Sequence, residues 1–118
     1  KFNNKYYILC RLMKNLHFIF TEIPNLDFVR LTFVVQNNNY MEMVDFVKMA
    51  DYFQNLNGMK TAVSFQHINN WGTFSNAEFM IKSIANENHP EYEMFQWQVQ
   101  KIKRMREQYP NLQIFTNF

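Results

Sequence analysis

Two apolar segments of eight residues, 29–36 and Lys60–His67, are separated by more than twenty residues with helical spacing. That gap is far too long for a hairpin, so the pairing the sequence predicts is parallel. Parallel neighbours need a crossover of this kind, and the crossover is almost always right-handed. Both strands then finish at the same edge of the sheet, the edge where parallel α/β folds bind ligands. The expected class is α/β: a parallel-sheet βαβ unit with flanking helices.

The alternation inside each strand constrains the fold further. In the first, Val29, Leu31, Phe33 and Val35 share one side, against Arg30, Thr32, Val34 and Gln36. In the second, Thr61, Val63, Phe65 and His67 oppose Ala62, Ser64 and Gln66. Successive strand side chains alternate faces. A parallel sheet covered by helices on both sides reads almost continuously apolar, and these strands do not. The small or polar face either meets solvent or lines the interior of a barrel that holds a ligand, and the lined interior is the expectation taken forward.

The remaining elements follow from periodicity and punctuation. A first helix is predicted over 4–20, with Leu9, Leu12, Leu16 and Ile19 as its stripe, Arg11 and Lys14 off it, and Pro24 beyond its end. Cys10 beside that stripe reads as a small buried side chain, and His17 as a surface or packing residue. Asn39-Tyr40-Met41-Glu42 has the form of a capping box opening a helix over 39–55, with Met43, Phe46, Val47, Ala50 and Phe53 inward. Asn57-Gly58 is expected to end it in left-handed conformations. Ser75-Asn76-Ala77-Glu78 is a second capping box, opening a short helix to residue 84. Pro90 at a first-turn position starts a longer helix, with Tyr92, Phe95, Val99 and Ile102 inward, that ends before Pro110. Residues 112–116 are a candidate further strand.

Composition removes several classes of function. At 118 residues the chain is one domain at most. A net charge of +2 does not by itself argue for nucleic acid or an anionic membrane. No apolar run approaches the twenty or so residues that span a bilayer. The single cysteine excludes an intrachain disulfide and fits a reducing, cytoplasmic setting. There is no GxGxxG or Walker-type phosphate loop, no CxxC, no HExxH and no GxSxG. Lys101-Ile102-Lys103-Arg104-Met105-Arg106 reads as a solvated helical face ahead of a nucleic-acid surface. The chain opens on Lys1 and ends within an apolar stretch (Leu112, Ile114, Phe115, Phe118), and two parallel strands alone are marginal. The expectation is a single incomplete domain spanning 1–118.

Candidate ligand-binding residues gather where the strands end. Gln36, Asn38 and Asn39 follow the first strand. Gln66, His67, Asn70 and Trp71 end and follow the second, with Ser64 on the polar face. Amides offer paired donors and acceptors to a neutral heteroaromatic or sugar ligand, and an indole offers a stacking surface. The structural alternatives are specific. Asn39 caps a helix, Asn70 shapes the loop, Trp71 plugs the barrel end, and His67 is a hydrogen-bonded residue of the helix-covered face.

Phe33-Val34-Val35-Gln36, Asn38-Asn39-Tyr40, Glu42-Met43, Phe65-Gln66, Asn70-Trp71-Gly72-Thr73-Phe74-Ser75, Glu78-Phe79 and His89-Pro90 follow one another in an order and spacing that resembles radical S-adenosylmethionine (SAM) proteins of the twitch/SPASM-like type. The resemblance covers most of residues 5–100. It implies the second half of a partial (β/α)6 TIM-like barrel whose N-terminal half is missing here. In that family a [4Fe–4S] cluster on a CxxxCxxC loop cleaves SAM, and the 5′-deoxyadenosyl radical abstracts hydrogen from a substrate, here an unknown small molecule or peptide. By resemblance, Gln36, Asn38 and Asn39 lie near the ribose or substrate, and Ser64, Gln66 and the backbone at His67 and Ile68 lie near the adenine. CxxxCxxC is absent from this chain, so no metal ligand and no catalytic residue is assigned. The alternative expectation is a small α/β ligand-binding or interaction module that does no chemistry.

Overall fold

The computed structural model describes residues 4–23 and 27–117, with the side chains of 4–10, 20, 21 and 57 left aside. The expectations for Leu9, Cys10 and Pro24 fall outside those described residues and side chains. The elements run α1 (Asn4–Glu22), β1 (Phe28–Val35), a 3-10 turn (Tyr40–Glu42), α2 (Met43–Asn57), β2 (Lys60–His67), α3 (Asn76–Lys82), α4 (Tyr92–Gln108) and β3 (Gln113–Thr116).

The three strands lie side by side in chain order, β1-β2-β3, and every pairing is parallel. Val34 is opposite Gln66 and Val35 opposite His67, so the residues after both strands emerge together. Residues 112–116 do contribute the third strand, with Ile114 opposite Val63. Among the described residues β1 and β3 are the two edges, and no barrel closes.

One side of the sheet carries the core. Phe33 meets Phe46 of α2 edge-on at 5.0 Å, Phe46 meets Phe65 at 6.1 Å, and Phe33 lies 5.5 Å from Phe65. The α2 stripe Met43, Phe46, Val47, Ala50 and Phe53 is buried as its spacing predicts. Phe95, Val99, Ile102 and Met105 of α4 bury into the same cluster as Val63 and Ile114. α1 packs on α2, placing Leu16 in that core, while Arg11, Lys14 and His17 are exposed. Both crossover helices therefore cover the same face. Among the described residues, no helix is long and apolar enough to cross a membrane.

Several local expectations are corrected. Asn39 does not cap a helix. Its Nδ2 donates to the Val34 carbonyl and its Oδ1 accepts from the Gln36 N–H, both at 2.8 Å. With both ends bonded backward, the amide is held at the end of β1 and makes no cap bond to the turn ahead. α2 accordingly begins at Met43, after a 3-10 turn, with no side-chain cap. At its other end only Gly58 takes the left-handed conformation, φ 68°, while Asn57 stays helical. Gln54 does part of the stopping: its buried Oε1 accepts from the Thr61 N–H at 3.0 Å, tying the helix end to β2. α4 starts at Tyr92, so Pro90 precedes the helix instead of sitting in its first turn. The Ser75 capping box is as expected, with Oγ accepting from the Glu78 N–H at 3.2 Å, although that helix ends at Lys82.

Candidate functional site

The face opposite the helices is built from Phe28, Arg30, Thr32 and Val34 of β1, Lys60, Ala62, Ser64 and Gln66 of β2, and Gln113 and Phe115 of β3. All are exposed except Ala62 and Ser64, the short side chains of the central strand. Arg30 roofs Ser64. Its Nη2 donates to Ser64 Oγ at 3.3 Å while the guanidinium carbon sits 5.1 Å from the centre of the Phe115 ring. Hydrogen bond and ring contact together hold a forked donor over the middle of the bare sheet face. Thr32, in register with Ser64, and Gln66, in register with Val34, add a hydroxyl and an amide. The sequence shows Arg30 on this side of the strand, but its role depends on Phe115, 85 positions away, for which local pattern carries no signal.

The residues singled out from sequence divide into three groups. Gln36 and Asn38 stand at the C-terminal end of β1 and Gln66 at that of β2. Among the described residues no hydrogen bond ties their side-chain amides, so those amides are open to a ligand. Asn39 and Asn70 are spent on the backbone. Asn70 Oδ1 accepts from the Gly72 and Phe74 N–H groups at 3.0 and 3.3 Å, and its Nδ2 donates to the Phe74 carbonyl at 3.1 Å. It is the organiser of its loop. Trp71 is 86% exposed, so it does not plug the end of the sheet, and its indole is left open as a stacking surface.

His67 belongs to the covered face, as alternation requires. Its ring is half-buried 6.4 Å from that of Phe95, and its backbone N–H donates to Asn117 Oδ1 at 3.0 Å. Burial pushes its pKa below the usual imidazole value, favouring the neutral ring. Beside it, Tyr40 is 2% exposed and donates its hydroxyl to Glu91 Oε1 at 3.0 Å. Burial first, and the carboxylate second, raise the phenol above its ordinary value. This bond links the 3-10 turn ahead of α2 to the start of α4 across 51 positions, which is why spacing rules miss it.

Among the described residues, no group of three or more His, Cys, Asp or Glu side chains could hold an ion. The basic run on α4 is already partly engaged. Lys101 Nζ lies 5.2 Å over the Trp97 ring. Arg106 reaches across to β3, donating from Nε to the Ile114 carbonyl at 3.2 Å and from Nη2 to Thr116 Oγ1 at 3.0 Å. What the arrangement supplies, then, is a hydrogen-bonding sheet face with one held cation, ending in three available amides. No family model, curated protein or solved structure matches the chain.

Proposed function

We propose that this chain is the C-terminal part of a radical SAM core, a single incomplete domain in which the bare sheet face forms one sector of the inner wall of a partial (β/α)6 barrel. One observation carries the reading: three parallel strands follow in chain order with α2 and α4 on the same side. Right-handed crossovers that always step the same way put every helix outside, as in a barrel. A doubly wound sheet reverses direction and is covered on both faces. The partially polar lining, Arg30, Thr32, Ser64 and Gln66, agrees with a wall that meets a ligand in place of a second helix layer.

The residues present do not fit the [4Fe–4S] cluster that such a core uses, because no set of side chains described here could ligate it. The cluster and its reducing, cytoplasmic chemistry would belong to the N-terminal half of the same domain, and no step of SAM cleavage is assigned to this chain. Its own contribution would be to line the cavity. Gln66, Gln36 and Asn38 would offer amides to SAM or to the unknown small-molecule or peptide substrate, and Ser64 would hold the Arg30 guanidinium over the wall. A second reading, a small ligand-binding or interaction module without catalysis, is favoured by the consumption of Asn39 and Asn70 in loop structure. Nucleic acid is the weakest partner, since Arg106 is occupied at β3. Sequencing the message in frame upstream of the Lys1 codon separates the readings. A CxxxCxxC motif ahead of earlier β/α units is expected. A start codon with no such motif would overturn the radical SAM reading in favour of the module.

A further inference from the structure

On the helix side of the sheet edge, away from the bare face, a cleft of about 390 Å³ opens between the end of β1 and the α3–α4 connection. We propose that it binds a small primary amine with an apolar body, held by the Glu91 carboxylate. The volume suits a small organic ligand. Met80, Ile81 and Pro90 supply an apolar wall, and Glu91 is the acid among the lining residues.

The other polar groups explain why a cation is the complement. His89 is committed: the Glu91 N–H donates to Nδ1 at 3.1 Å, so Nε2 bears the hydrogen and donates to the Ile81 carbonyl at 2.8 Å. Asn86 Oδ1 accepts from the Asn88 N–H at 3.0 Å. Among the described residues the side-chain amides of Asn37 and Asn88 have no hydrogen-bond partner, and both can accept from an ammonium. Glu91 Oε1 receives the Tyr40 hydroxyl, which fixes the carboxylate, yet no lysine, arginine or histidine among the described residues pairs with it. A half-buried carboxylate of fixed orientation beside an apolar wall is completed by a charged donor. The proposal is independent of the radical SAM reading, because it uses none of the residues of the bare face.

The test follows the Met80 methyl by NMR in the full 118-residue chain, labelled with ¹³C-methyl methionine and assigned by Met80→Leu. Phenethylammonium, 2-phenylethanol and phenylacetate serve as probes of one shape and three charges. A saturable Met80 shift is expected with the ammonium, about tenfold weaker binding with the alcohol, and none with the carboxylate. Glu91→Gln, which keeps an acceptor for the Tyr40 hydroxyl, should lower ammonium binding to the level of the alcohol. Circular dichroism checks that this variant folds. If it does not, Asn88→Leu at an exposed position decides by filling the cleft, and is expected to abolish the Met80 shift. Equal binding of all three probes, or an ammonium response untouched by the folded Glu91→Gln or by Asn88→Leu, would overturn the proposal.

Discussion

The two faces of the sheet are made by the same three strands, and neighbouring residues of β2 belong to opposite worlds. Phe65 is fully buried, in ring contact with Phe33 and Phe46. Ser64, one position earlier, is buried only by the reach of the Arg30 side chain and its position between strands. The core face is held by many apolar contacts, each non-directional and additive in area. The bare face is held by few, each dependent on one polar geometry. Stability therefore resides on one side of the sheet, and the other side is free to vary without loss of the fold. The edges show a related asymmetry. β3 is short and its outer carbonyl is occupied by Arg106, whereas β1 offers eight residues paired on one side alone among the described strands.

The largest expected effect tests the two faces directly. Phe65→Ala should cost about 3–5 kcal/mol by cavity formation, whereas Ser64→Ala should cost below about 1 kcal/mol, as for a single hydrogen bond to an exposed arginine. Urea denaturation of both variants checks this, and equal losses would mean the bare face is a second core. Next, Tyr40→Phe removes the hydroxyl that fastens the 3-10 turn ahead of α2 to the start of α4, with an expected loss of about 1–2 kcal/mol. A neutral result would show that the covered face needs no polar tie there.

Arg106→Ala uncovers the β3 edge. The expected stability loss is smaller, about 0.5–1.5 kcal/mol, accompanied by stronger self-association in sedimentation velocity, because unpaired strand edges recruit one another. If association is unchanged, β1 is the edge that matters. The smallest effect concerns pH. Burial holds His67 below its ordinary pKa of 6.5, so the unfolded chain takes up that proton before the folded one. The stability it contributes is complete above about 6.5 and is lost as pH falls through the lower folded value. His67→Gln should therefore flatten the decline in unfolding free energy measured from pH 7 downward. An unchanged slope would place the ring outside the covered face.

The sequence discloses the parallel βαβ pairing and the inward stripe of α2, because both rest on periodicity and on a crossover length that admits little else. β2 is legible to the residue, with Gly58 setting its start and the change of composition at Ile68 its end. The Ser75 cap is legible because a capping box is a contact within one turn. Asn39 is the instructive failure: the same asparagine and the same spacing serve a forward cap or a backward clamp on β1, and only the strand end decides. The polar contacts that shape the candidate sites, Arg30 with Phe115 and Tyr40 with Glu91, join residues brought near by topology. No local pattern encodes them. Trp71 is legible as a loop residue, while its exposure depends on how the loop after β2 is laid against the rest of the chain.

Both indoles of the chain, Trp71 at 86% and Trp97 at 70% exposure, already face water in the native state. Their emission should sit at long wavelength before any denaturant is added and move little as the chain unfolds. Intrinsic fluorescence is thus a poor thermometer for this fold, and a sensitive one for company: a blue shift on mixing would report that something has come to rest against the loop after β2 or the outer flank of α4.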